Sequence, residues 1–182
     1  MDHGASRYRR YLNGDEEAFH EIVKEYFDNL VFFIDRYVKD YAAAEDLALD
    51  AFTQLVVNKH RYDFRVSLKT YLFMIGRSRA LDYIKHRSKQ STVELSEVNQ
   101  AADDPSFEDM LLADERKRAI NDALSRLSEE MQLVIHLVYF EGLSPDETAK
   151  VLKKNRKQVY NLLYRAKTTL RTILGEEGEF TV

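Results

Sequence analysis

The chain has 182 residues, 45% hydrophobic and 32% charged, with a formal net charge of −4, no cysteine, six glycines and two prolines. The lack of cysteine excludes disulfides and thiolate metal sites, and the apolar content excludes a disordered chain. So little Gly and Pro, with few alternating β-branched runs, points to an all-α protein of one large domain or two small ones.

The mean charge hides a division. Residues 58–90 carry nine basic and two acidic side chains, residues 91–115 carry eight acids and no Lys or Arg, and residues 116–175 carry twelve basic and six acidic. This is the pattern of two basic modules joined by an acidic connector. The N-terminal run MDHGASRYRRYLNGDEEAF has no apolar signal core, and no stretch reaches membrane-spanning length. A cytoplasmic protein without membrane insertion is the expectation.

Taken in order, the first helical pattern starts at Gly14-Asp15. Phe19, Ile22, Val23, Tyr26, Phe27, Leu30, Phe33, Ile34, Tyr37 and Val38 recur at three-and-four spacing, which makes a core-facing stripe. Asp40-Tyr41 interrupts it. A second helix, Ala43 to His60, buries Leu47, Ala51, Phe52, Leu55 and Val56 and turns Glu45, Asp46, Asp50 and Gln54 outward. Such an acidic stripe is either a solvated face or a docking surface for a basic partner. The run from Arg61 to Val66 reads as a loop closed by a cap at Ser67. A third helix, Ser67 to about Arg87, places Leu68, Leu72, Ile75 and Ile84 inward and interleaves Lys69, Arg77, Arg79, Lys85 and Arg87 with Tyr71. Cations track phosphates without regard to sequence. An exposed aromatic ring stacks an unpaired base, worth about 1–3 kcal/mol per base. Together they suit melted nucleic acid better than duplex, while Tyr71 taken alone fits a core position equally well.

Residues 89–108 lack a strong period and form the acidic linker. Helices follow over Asp109–Ser125, with Leu111, Leu112, Ile120 and Leu124 apolar, and from the cap Ser128 to Phe140, where Gly142 suits the left-handed position after a helix. Then comes LSPDETAKVLKKNRKQVYNLLYRAKTTLR, Leu143–Arg171. Ser144, Pro145 and Glu147 start one short helix, and Asn155 and Gln158 cap a second in reciprocal fashion. Val159, Leu163, Ala166 and Leu170 give the second helix its buried stripe. Eight Lys or Arg and no acid fall between Lys150 and Arg171. A helix-turn-helix with so cationic a second helix fits a DNA groove, whereas a plain hairpin would need no such charge.

Three blocks, AEDLALDAFTQLVV (Ala44–Val57), YDFRVSLKTYLFMIGRSRALDYIKHR (Tyr62–Arg87) and Leu127–Arg171, together resemble bacterial sigma factors of the extracytoplasmic-function type, within the sigma-70 superfamily. The resemblance implies an all-α chain of two small helical domains. Residues 1–88 would form a region-2-like domain, 89–108 the linker, 109–175 a region-4-like domain holding the helix-turn-helix, and 176–182 an acidic tail. It implies that the first domain docks on the coiled coil of the largest RNA polymerase subunit through Glu45, Asp46, Asp50 and Gln54. It implies binding of a melted −10 promoter element by Arg61, Lys69, Tyr71, Arg77, Ser78, Asp82 and Lys85, with a flipped base accepted by the loop from Asn58 to Arg65. The second domain would meet the polymerase flap and read duplex −35 DNA with Arg156, Lys157, Gln158, Asn161, Tyr164 and Arg165, while Lys167 and Arg171 touch phosphates. Departures are visible: Ser78 stands where Asn is common, Tyr71 where Trp is, Tyr160 and Leu162 where Lys and Arg are frequent, and Lys153 where Gly is usual.

The expected function is transcription initiation by binding core RNA polymerase and promoter DNA, under an anti-sigma partner, without cofactor and without catalysis. The alternative is a duplex-only regulator with an N-terminal sensor or dimerisation domain. A nuclease built on Asp46, Asp50, Asp63 and Asp82 would need metal ligands, and His3, His20, His60, His86 and His136 show no such spacing.

Overall fold

Helices account for nearly every ordered segment of the computed structural model, which describes residues 3–90 and 111–176, and no strand occurs among them. These residues fall into two compact units, one drawn from Met1–Leu95 and Asp146–Lys154, the other from Ser96–Pro145 and Asn155–Val182. The acidic linker lies outside the described residues except for Lys89 and Gln90, which continue a helix. The acidic tail lies outside them beyond Glu176.

In the first unit, α2 (Glu16–Val38) is the central element, packed on by α1 (His3–Leu12), α3 (Tyr41–Val57) and α4 (Leu68–Gln90). The aromatic stripe explains this. Ile22, Leu30, Phe33 and Ile34 of α2 are completely buried, as are Leu68, Leu72 and Phe73 of α4. Gly76 lets α4 come close to α2: a Cβ there would lie 2.8 Å from Leu30 Cδ1. Caps delimit the helices. The Asp15 carboxylate accepts from the Ala18 N–H at 3.2 Å and the Asp40 carboxylate from the Ala43 N–H at 3.1 Å, while Ser67 Oγ accepts from the Thr70 N–H at 3.1 Å. Arg10 beside it and the Ala18 N–H hold the Asp15 carboxyl below the usual carboxylate range.

Two sequence expectations change here. The apolar period begins the fold at Asp15, but α1 precedes it, and its inward face is Gly4, Ala5 and Tyr8. Two small residues and one amphipathic ring make a weak hydrophobic signal. Arg7 ties this helix to α2 by ion pairs with Glu21 and Glu25. Ile84, expected inward, is 37% exposed. After Ala80 no described side chain of α4 is buried, so the helix outruns the core while its apolar period continues.

The first unit also includes α7 (Pro145–Leu152). Glu147, expected to complete a capping box with Ser144, has its Oε1 accept from Ser67 Oγ and Thr70 Oγ1, each at 3.0 Å. Lys153, which follows α7, takes the left-handed conformation (φ 52°) that explains why glycine would suit it.

In the second unit, α8 (Arg156–Glu176) packs on α5 (Leu111–Ser125) and α6 (Glu129–Ile135). The expected Ser128 cap is present, its Oγ 3.4 Å from the Met131 N–H. The α6 period does not run as one α-helix to Phe140. Its last turn, His136–Phe140, is π-helical, and it ends at Gly142 with φ +69°. Across that turn buried His136 Nε2 lies 3.4 Å from Oε1 of buried Glu141, the residue that follows it. The Asn155–Gln158 box forms as the sequence predicts: the Asn155 N–H donates to Gln158 Oε1 and the Gln158 N–H to Asn155 Oδ1, both at 2.8 Å.

Candidate nucleic-acid interface

The first unit holds a cavity of about 380 Å³ whose wall includes Arg61, Tyr71, Met74, Ser78, Arg79 and Asp82, with Gln54 of α3 and Lys150 and Val151 of α7. Tyr71, Ser78 and Asp82 line it because they recur at helical spacing on one face of α4. The same spacing singles out Met74, which the cation-and-aromatic reading passed over. Lys69, Arg77 and Lys85 are not on this wall. The Lys69 ammonium sits 5.9 Å from the Phe73 ring centroid, and Lys85 is exposed. Arg77 Nε is buried without a hydrogen-bond partner, so its guanidinium is partly withdrawn from solvent.

Tyr71 is both of the things its spacing allowed. It is half-buried, with its ring 5.0 Å from that of Tyr62 on the loop between α3 and α4, and it still lines the cavity. Burial raises its phenol pKa, Arg61 draws it down and Asp63 adds to the rise. The loop is built around Tyr62, whose hydroxyl donates to the Val66 carbonyl at 2.7 Å and whose ring lies 4.5 Å from Phe64. Phe64 itself is left-handed (φ 61°), a conformation uncommon outside glycine and held here by ring contacts. Arg61 stays exposed beside it.

On α3, Glu45, Asp46 and Asp50 are exposed, as expected of an outward acidic stripe. Gln54 is less free: its Oε1 accepts from the Arg79 guanidinium at 3.0 Å. Sequence reasoning missed Leu49, which is 53% exposed between Asp46 and Asp50. An apolar side chain left in water amid carboxylates departs from a plain solvated stripe, and the period of α3, which leaves Leu49 off the buried face, is the signal that locates it.

In the second unit, Arg156, Lys157, Gln158, Asn161, Tyr164 and Arg165 are all exposed on α8, Tyr164 at 72%. Lys167 and Arg171 are exposed further along. Leu162 is only 8% exposed and belongs to the core with Val159, Leu163 and Ala166, which accounts for its apolar character. Tyr160 is partly exposed, and the Arg156 guanidinium lies 5.4 Å from its ring centroid. Among the described residues no group of three His, Cys, Asp or Glu is placed to hold a metal ion, and no helix is long and apolar enough to cross a membrane.

Comparison with known proteins places the two clusters in recognised families. Residues 22–90 match sigma-70 region 2 and residues 117–170 match sigma-70 region 4. The chain is 30% identical over 170 residues to the ECF RNA polymerase sigma factor BldN of Streptomyces coelicolor, covering 91% of this chain and 63% of that protein. It is 26% identical over 179 residues to the ECF RNA polymerase sigma factor SigW of Bacillus subtilis, covering 93% and 96%. Among solved structures it resembles the sigma factor RpoE of Bartonella quintana in complex with the anti-sigma factor NepR (TM-score 0.63, 19% identity, 86% of this chain and 96% of that one). It likewise resembles CnrH in complex with the cytosolic domain of CnrY (TM-score 0.60, 19% identity, 96% of each). The chain belongs to the sigma-70 family, as a factor of the extracytoplasmic-function type.

Proposed function

We propose that this protein initiates transcription by binding core RNA polymerase, gripping a promoter at two elements and stabilising strand separation. The observation that carries the reading is the cavity walled mainly by residues of the region-2 match, where a half-buried tyrosine, an exposed arginine and short polar side chains converge. A flipped base costs a few kcal/mol to extrude, and stacking on Tyr71 with polar contacts from Arg61, Ser78 and Asp82 offsets that cost. Lys69, Arg77 and Lys85 supply positive charge along the same helix for the strand's phosphates. Glu45, Asp46 and Asp50, with Leu49 among them and Gln54 braced by Arg79, form the face that docks on the polymerase. The exposed set on α8 enters duplex DNA at the −35 element, and Lys167 and Arg171 meet phosphates. No step of this action requires a reaction on the protein itself or a cofactor. It belongs in the cytoplasm, where promoter DNA and polymerase are, and an anti-sigma protein is its expected partner; the solved RpoE is in complex with one.

The test is direct. The purified protein is incubated with core polymerase and a promoter library, and open complexes are detected by reactivity of unpaired thymines. The expected result is opening at a defined promoter class. Duplex binding without opening on any sequence would leave only a helix-turn-helix regulator.

A further inference from the structure

The loop that lines the cavity is not held by α3 and α4 alone. Tyr8 of α1 is completely buried, and its hydroxyl lies 2.9 Å from the Leu55 carbonyl and 3.0 Å from the Lys59 carbonyl. These two carbonyls flank the end of α3, where helical carbonyls run out of backbone donors. The phenol therefore caps α3 at the point where the loop leaves it. Its ring then meets Tyr62 edge-on at 5.7 Å, and Tyr62 stands against Tyr71. The next residue of α1 acts on the same loop: the Arg9 guanidinium lies 4.6 Å from the centroid of left-handed Phe64. A side chain needed only to fill the core would not require a hydroxyl aimed at two carbonyls on another element. A phenol so directed sets where the loop starts and, through Tyr62, how the Tyr71 ring is presented.

We propose that Tyr8 is a positioning residue for base capture: the N-terminal helix holds the loop over residues 58–66, and hence Tyr71, in the geometry that receives an unpaired base. The proposal rests on the reading of the Tyr71 cavity given above, and the experiment separates the two. Full-length Tyr8→Phe, which keeps the ring and loses the hydroxyl, is compared with wild type, Tyr71→Ala and Ile22→Val. The last thins the buried core of α2 without touching the Tyr8 hydroxyl. Each is combined with core polymerase and a promoter carrying a fluorescent base analogue in the −10 element. Affinity for polymerase and for −35 duplex is measured alongside.

Tyr8→Phe is expected to lower the open-complex equilibrium about three- to tenfold, the range for one lost buried hydrogen bond, and to leave both affinities within about twofold. It is also expected to speed amide exchange over residues 58–66 in the free protein. Ile22→Val should lower the melting temperature while leaving the ratio of opening to binding unchanged. If Tyr71→Ala fails to open promoters but Tyr8→Phe opens them like wild type, the positioning role is overturned and base capture stands. If Tyr71→Ala opens normally, base capture fails and the role of Tyr8 falls with it. Equal loss of opening in Tyr8→Phe and Ile22→Val at matched stability reduces Tyr8 to a core residue and also overturns the proposal.

Discussion

α4 and α8 carry similar charge, six cations on one and five on the other, but they present it in different ways. On α4 the side chains are engaged: Arg79 bonds Gln54, Lys69 lies near Phe73, and Tyr71 leans on Tyr62. On α8 all six side chains of the candidate reading face are exposed. A duplex presents its groove edges and phosphates without being taken apart, so a solvent-exposed face suffices to meet it. An unpaired base has to be received in a shaped place, and a receiving ring loses less freedom on binding if packing has already oriented it.

The comparison can be broken most severely at Tyr71. Tyr71→Ala removes the ring that would stack, worth about 1–3 kcal/mol per base. Opening measured by thymine reactivity should drop by roughly tenfold or more while duplex binding holds. Equal loss of both would erase the distinction between the helices. Gly76→Val tests the packing beneath α4. A side chain aimed at Leu30 and Ile34 should cost about 1–3 kcal/mol in denaturant unfolding.

A pH titration sharpens the same contrast. Burial first, then Tyr11 and Tyr71, push the Tyr8 phenol up to about 12 from an ordinary value near 10. The folded state keeps a proton that the unfolded chain gives up. The stabilisation is therefore complete below about pH 10 and is lost as pH rises towards 12. Unfolding midpoints should fall across that window, less steeply in Tyr8→Phe. On α8, Asn155→Ala should cost about 1 kcal/mol by removing one half of the reciprocal cap. The smallest effect is expected from Arg165→Ala, which should flatten the slope of log affinity for −35 duplex against log salt by about one and weaken all sequences alike if it meets a phosphate.

Much of the fold was legible because its signals are local. The stripe of α2, the caps at Ser67, Ser128 and Asn155, and the stop at Gly142 are set within a few residues of one another. The exposure of Arg156, Lys157 and Asn161 was legible for the same reason, since one helical period separates them from Val159 and Leu163. What was not legible depends on a second element. α1 hides because its inward face has little apolar area, and Tyr8 gains its meaning only from carbonyls about fifty residues away in the chain. Leu162 looked like a missing cation until burial showed it to be a core residue. Glu147, a capping residue by spacing, has its carboxylate accept from Ser67 and Thr70, some eighty residues earlier in the chain, which no local pattern reveals.

By itself the sequence determined the all-helical class, the two cationic segments and the acidic stripe, because side-chain period and charge are properties of consecutive residues. Tertiary structure alone decided how far each cation is withdrawn from solvent. It brought Arg61, Tyr71, Ser78 and Asp82 around one cavity and set an N-terminal tyrosine behind the loop that supports it. Those outcomes follow from packing between elements distant in sequence, where burial and hydrogen-bond geometry select among placements that local chemistry leaves equally open.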